Sequence, residues 1–328
     1  MMKLSTGLML ALLSFALNGG AAGCGAKQKQ TTPNTSGPGN KNVTASPTPA
    51  NAGGDGASDE GTLKGEIKVL AEGDSSINDA FVAVARDAGT YAAIRALVKN
   101  LPDMSADFFE HNAVIAAFLG QRRTGGYSVR LTREADGTVH LEQQSPAKGY
   151  MTTQSLTAPF KIVSVPTGDS HFRFENTLKL EVGSAWQSAL RPYRVTAGNF
   201  KMSGGFAAHT ERFTLKGDIG VMRAGKLATL IFNLKSEGGE KARALQEVTT
   251  GLVQNDGLTI PYLEAGTLVD VPRSALHVQG SFTDKENNLS LTFASLPSNV
   301  ADGYGGEGTL EAAATAPAPP KNKASDEM

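Results

Sequence analysis

Short runs in which apolar and polar residues alternate, closed by glycine, asparagine or aspartate turns, fill the C-terminal half of this chain. That period of two constrains the fold more than any other feature. An alternating strand buries one face only, which suits antiparallel sheets and excludes a parallel sheet wrapped in helices. Six segments predict strands: Thr177–Val182, Tyr193–Phe200, Phe213–Val221, Leu227–Leu234, Ala275–Phe282 and Leu289–Phe293. Lys216-Gly217-Asp218 and Asp284–Asn288 read as turns. One helix is predicted over Glu240–Val253, where Ala242, Leu245, Val248, Leu252 and Val253 give an apolar face.

Residues 63–168 read as a separate region. Ile67–Val69 and Phe81–Val84 predict strands, and Asp87 caps a helix whose apolar face is Tyr91, Ile94, Leu97 and Val98. Leu101-Pro102 stops that helix. Ala113–Leu119 is continuously apolar, as a central strand buried on both sides should be. Tyr127–Leu131 alternates, Asp136-Gly137 signals a hairpin, Val139 and Leu141 lie on the return strand, and Phe160–Val165 closes the region. The expected class is mainly β (α+β): two antiparallel β-rich domains, each a sandwich or open barrel with about one helix. The polar joint Pro166–Ser170 would let residues 63–168 and 171–311 fold separately.

The ends read differently. Lys3, the apolar run Leu4–Leu17 and the small residues Gly19–Gly23 have the order of a secretory signal peptide over residues 1–23. Cys24 is the sole cysteine of 328 residues and excludes an internal disulfide. Ala21-Ala22-Gly23-Cys24 resembles a lipobox, with Ala21 where leucine is usual, so Cys24 is the expected lipidation site. Residues 24–62 then form a linker with Val43 as its only large apolar side chain. A segment of this composition buries too little to fold, and its root-mean-square reach is about 30–35 Å. Residues 312–328 read as a disordered tail. These features predict a lipid-anchored bacterial envelope protein that meets the membrane through Cys24. Gly25 after the cysteine, in place of aspartate, points to the outer membrane.

Chemistry-bearing motifs are sparse. The 31 Lys and Arg against 32 Asp and Glu give no basic face for nucleic acid. His111, His140, His171, His209 and His277 lack the i, i+3 or i, i+4 spacing of a helical metal site, so no metal or other cofactor is expected. Gly303–Gly308 satisfies G-x-G-x-x-G outside any βαβ context and reads as a glycine-rich hairpin or bulge. Asp284–Asn288 lacks the glycine and the closing acid of a calcium loop. Trp186 reads as core or interface, with core favoured.

One segment is more specific. Asp107-Phe108 is followed by the strand ending Phe118-Leu119-Gly120, then by Gln121, Arg122, Arg123, Thr124, Gly125, Gly126, Tyr127 and Ser128. Pro146, Lys148 and Gly149 come next, then Thr157-Ala158-Pro159-Phe160-Lys161-Ile162-Val163. This order resembles the C-terminal domain family of the protease complex subunit PrcB, over about residues 64–168. Phe160 replaces the family's tyrosine, and Tyr91 stands where tryptophan is expected. The resemblance implies a non-enzymatic interaction domain, an accessory or binding subunit of an envelope protease or other envelope complex. Arg122, Arg123, Thr124, Gly125, Gly126 and Tyr127 form the candidate interaction loop, an arginine and aromatic cluster beside a tight turn. Two alternatives stand beside it. Thr124–Tyr127 also resembles the loop of chagasin-type cysteine protease inhibitors, without their Asn-Pro and Arg-Pro-Trp. The other is a hydrolase whose site is assembled from scattered acids and histidines.

Overall fold

The computed structural model describes residues 67–149, 151–167, 178–204, 209–265, 268, 275–296 and 305–315. The residues read as signal peptide and linker, Cys24, His171 and most of the predicted tail lie outside them. Residues from Ser58 onward form a contact unit of their own.

The first region opens with β1 (Lys68–Asp74) and β2 (Phe81–Ala85), followed by α1 (Ala88–Leu97) and the short α2 (Phe108–His111). The Asp87 carboxylate accepts from the Thr90 N–H at 2.8 Å and from its hydroxyl at 2.7 Å, so the predicted cap starts α1. Tyr91 and Ile94 are buried beneath it, and the Tyr91 hydroxyl donates to Pro102 O at 2.8 Å. Then come β3 (Asn112–Phe118), β4 (Ser128–Arg133), β5 (Thr138–Gln144) and β6 (Pro159–Pro166). An antiparallel sheet of order β1-β6-β3-β2 places the continuously apolar β3 in its interior, as its composition requires.

A second sheet has the order β4-β5-β7, where β7 (Lys179–Val182) runs parallel to β5. The strand read from Thr177 to Val182 thus belongs to the sheet of the first region. The short α3 (Ser184–Gln187) follows, and its Trp186 is fully buried, with its indole N–H donating to Phe118 O at 2.8 Å. The core position expected for Trp186 is observed.

The remaining strands are β8 (Arg191–Gly204), β9 (His209–Ala224), β10 (Leu227–Glu237), β11 (Ala244–Gln254), β12 (Gly257–Glu264), β13 (Ala275–Thr283), β14 (Asn288–Ser295) and β15 (Gly305–Ala314). Each pairs antiparallel with the next, and β15 pairs with β8, so the eight close into an up-and-down barrel. The mainly β class holds, and the second region is a closed barrel where a sandwich or open barrel was expected. Closure removes both sheet edges. Phe200, Phe213, Phe232 and Phe293 pack with leucines in the barrel core.

Four local readings change. Residues 240–253, read as a helix, contain β11. One face of this strand puts Leu245 and Val253 in the barrel core, while Val248 and Leu252 on the other pack against the first region. Burial on both faces erases alternation, and Leu245, Val248 and Leu252 then mimic helical spacing. Lys216–Asp218, read as a turn, lies within β9, where a Cβ on Gly217 would stand 2.1 Å from Asn233 O. Gly305–Gly308, the described part of the Gly303–Gly308 run read as a hairpin or bulge, is the start of β15, which pairs antiparallel with β14; a Cβ on Gly308 would meet Asn199 O at 2.5 Å. That strand runs on to Ala314, so Ala312, taken as the start of the tail, is buried.

The two regions, expected to fold separately, share a core. Met222, Leu227 and Val248 of the barrel cluster with Phe81, Val82, Tyr91 and Ile94. β2 is an edge strand of its sheet, and threonine hydroxyls of the barrel satisfy that edge. Val84 N–H donates to Thr250 Oγ1 at 2.8 Å, and Thr229 Oγ1 donates to Val82 O at 2.5 Å. The two hydroxyls also meet at 2.8 Å.

Beside this junction β11 and β12 pair only through Leu252–Gln254 and Gly257–Thr259, then part. Glu247, Tyr262 and Glu264 sit at the parting, with the Arg86 guanidinium 5.3 Å over the Tyr262 ring. The Tyr262 hydroxyl donates to Glu264 Oε2 at 2.9 Å. Burial, opposed by Arg86 and Lys179 and aided by Glu264, lifts the Glu247 carboxyl from 4.5 to about 8. Burial likewise pushes the Tyr262 hydroxyl above its ordinary range.

Two outcomes are expected. Thr250→Val leaves the Val84 N–H buried without its acceptor and should cost about 1–3 kcal/mol, lowering the stability of both regions in one denaturant transition. Two separate transitions, only one of them shifted, would contradict a shared core. Glu247 has a folded value above its unfolded one, so stability should fall as pH rises from about 4.5 to 8 and level off beyond. Glu247→Gln should therefore raise the thermal midpoint at pH 9 and change it little near pH 4.5. Equal effects at both values would place the charge outside the buried junction.

Candidate functional site

The glycine loop leaves the buried strand β3 and enters the alternating strand β4, so both ends are anchored in sheets. Its middle is laced to residues 153–157, a partner segment the sequence did not single out as part of the site. Arg122 N–H donates to Thr157 O at 2.7 Å, and Thr157 N–H returns to Arg122 O at 3.0 Å. Gly125 N–H donates to Thr153 O at 2.9 Å, and the Thr157 hydroxyl donates to Thr124 O at 3.1 Å.

The two glycines serve different needs. Gly126 has φ +84°, in the left-handed region, and a Cβ there would stand 2.9 Å from Pro146 Cβ. A Cβ on Gly125 would come within 2.5 Å of Thr153 Oγ1, so that hydroxyl would have to shift. Of the two, only Gly126 has a positive φ.

The two arginines also differ. Arg122 is half-buried: it donates through Nη2 to Gln143 Oε1 at 2.9 Å and through Nη1 to Gln121 O at 3.2 Å. Its guanidinium lies 5.9 Å from the Tyr127 ring centre, within cation–π range. Its charge is thus held by neutral partners. Arg123 is exposed. Thr124 is half-buried, with its carbonyl engaged by Thr157.

Tyr127, half-buried against the core, separates two open grooves. One, of about 1080 Å³, is lined by Asn78, Asp79, Arg122, Glu142 and Gln143 and reaches α3. The other, of about 450 Å³, is lined by Asp74, Gly126, Phe160 and Lys161. The loop is therefore a braced ridge between two polar grooves. Its chemistry is hydrogen bonding, one guanidinium and one aromatic face. Among the described residues, no three His, Cys, Asp or Glu side chains gather into a metal-holding group.

Pro146 and Gln143 belong to the ridge but carry no local sign of it; the Pro and Gly pair of the family pattern was the one available signal. No helix among the described residues is long and apolar enough to cross a membrane.

Comparison with solved structures finds two mutant forms of transferrin binding protein B from Haemophilus parasuis Hp5. The single mutant is 11% identical with a TM-score of 0.27, over 63% of this chain and 35% of that one. The double mutant is 10% identical with a TM-score of 0.24, over 75% of this chain and 39% of that one. This chain thus spans little more than a third of their length, and so low a score carries no inference about function. No curated protein matches the chain. The PrcB C-terminal family model matches residues 113–166, from β3 through the glycine ridge to β6, and this stretch is the part of the chain that has the family's pattern.

Proposed function

We propose that the chain is a lipid-anchored envelope protein whose first region is a non-enzymatic protein-binding module, acting through the Arg122–Tyr127 ridge as an accessory or binding subunit of an envelope protease or other envelope complex. One observation carries this reading. The segment matching the PrcB C-terminal model contains a loop fixed by four cross-hydrogen bonds, with an arginine and a tyrosine standing between two open grooves. Rigid loops lose little entropy on binding, and Tyr and Arg are the residues that supply most interface energy. The order of the leader and the sole cysteine support attachment through Cys24, with the outer membrane as the site.

Substitutions separate ridge from scaffold. Tyr127→Ala should weaken binding to the partner recovered by crosslinking from native envelopes, by about 2 kcal/mol or more if Tyr127 is a hot spot. Arg123→Ala, at an exposed position, should leave stability within about 0.5 kcal/mol of the parent. Gly126→Val should instead destabilise the fold by about 1–3 kcal/mol, because a β-branched side chain must adopt positive φ against Pro146. Unchanged recovery and affinity for Tyr127→Ala would remove the ridge from the binding surface.

Anchoring is tested independently. Cys24→Ser should release the chain from the membrane fraction and abolish fatty-acid labelling, since stable attachment needs two acyl chains or their equivalent. Continued partition into detergent with label retained would place the anchor elsewhere.

A further inference from the structure

Among the described residues three large apolar side chains are prominently exposed, and two of them lie on the segment that braces the ridge. Met151 is 101% exposed and Leu156 is 64% exposed; the third, Val69 at 47%, lies on β1. Between Met151 and Leu156 stand Thr152, Thr153, Gln154 and Ser155, all uncharged. The Gly125 N–H to Thr153 O bond joins this segment to the ridge two residues beyond Arg123, and Lys148 precedes Met151 by three residues. Arg123 and Lys148 are both exposed, and among the described residues no carboxylate pairs with either.

The charge pattern around this tip departs from the rest of the chain. Residues 119–133 and 143–165 contain Arg122, Arg123, Arg130, Arg133, Lys148 and Lys161 and no acid, in a chain whose net charge is −1. Two of the acids flanking the neighbouring groove are engaged: Glu72 pairs with Lys161 at 2.9 Å, and Asp74 accepts from Ala158 N–H at 2.9 Å. Glu142 lies in the larger groove on the other side of Tyr127.

We propose that the tip formed by Arg123, Lys148, Met151 and Leu156 is a membrane contact that seats on an anionic lipid surface. Its two cations match lipid phosphates, and its two apolar side chains enter the acyl boundary below them. Protein hot spots are anchors packed into complementary, desolvated pockets. Here the apolar side chains protrude from a hydroxyl-bearing loop, an arrangement a fluid bilayer accommodates without shape complementarity. The contact shares only Arg123 with the protein-binding reading, which otherwise rests on Tyr127 and its grooves, and it is distinct from the acyl anchor. In an anchored chain it would set the orientation of the ridge relative to the membrane.

The test uses the chain from residue 24 onward with Cys24→Ser, so that neither leader nor acyl group contributes. Co-sedimentation is measured with vesicles of phosphatidylglycerol and phosphatidylethanolamine, against phosphatidylcholine vesicles. Binding to the anionic vesicles alone is expected, and it should weaken as salt shortens the screening length. Arg123→Ala with Lys148→Ala should reduce the partition roughly tenfold or more. Met151→Asp with Leu156→Asp should reduce it at least as far, while Val69→Asn leaves it unchanged. Equal thermal midpoints for these variants would exclude unfolding as the cause. No sedimentation with anionic vesicles, or sedimentation indifferent to both double variants, overturns the proposal. So does loss of an acidic protein partner in the tip variants without any vesicle binding, which would make the tip a protein contact. The Tyr127→Ala result is independent of all these outcomes.

Discussion

The edge of β2 that no strand of its own sheet pairs is the constraint on which the arrangement depends. A strand at the end of a sheet presents unpaired N–H and C=O groups, and burying them unsatisfied is costly. Here Thr250 receives the Val84 N–H, Thr229 donates to the Val82 carbonyl, and the two hydroxyls meet each other. The barrel wall thus finishes a sheet to which it does not belong. Since β2 is buried along its whole length, the barrel and the first region specify each other's position. The apolar outer face of β11 follows from the same contact, because Val248 and Leu252 have no other core to enter.

With that junction fixed, the glycine ridge lies on the part of the first region that carries the β4-β5-β7 sheet. Trp186 ties α3 to β3 through its hydrogen bond to Phe118, and the larger groove runs between α3 and Tyr127. The ridge is held from below by the sheets and from the side by residues 153–157. Its polar groups are largely spent on holding shape: Arg122 on Gln143 and Tyr127, Thr124 on Thr157. What stays unspent is the aromatic face, the groove walls and the exposed Arg123. This division separates the groups that brace the ridge from those left at its surface.

Barrel closure rests on small residues at a crowded seam. β15 is rich in glycine and alanine, with Gly308 opposite Phe200 and Phe293, and any side chain there would collide with the neighbouring strand. The aromatic rings of β8, β9, β10 and β14 fill the space that β15 leaves. The turn Asp284–Glu286, with three successive positive φ values, joins β13 to β14, and the Glu286 carboxylate is held by Arg191 and Arg223. The polar run Asp284–Asn288 is thus the turn its composition indicated.

The chain by itself determined whatever depends on near neighbours. The Asp87 cap and the Tyr91 and Ile94 face identify α1; the unbroken apolar run identifies β3 as central; alternation marks β8, β9, β10, β13 and β14; and the Thr-Gly-Gly-Tyr order locates the ridge. These are short-range signals, written in capping groups, side-chain period and glycine spacing. Only the tertiary structure decided what depends on distant partners. β11 is a strand because both its faces are covered, one by the barrel core and one by β2, and no local period records that. β12, interrupted by Pro261, and the glycine-rich β15 lack strand composition and become strands through pairing across the barrel. β7 joins β5 because a parallel pair is formed between segments far apart in sequence. The division of labour between Arg122 and Arg123 likewise rests on Gln143, 21 residues from Arg122 along the chain. In each case the deciding energy is a hydrogen bond or a buried face supplied by a residue remote in sequence, which a window of neighbouring residues does not contain.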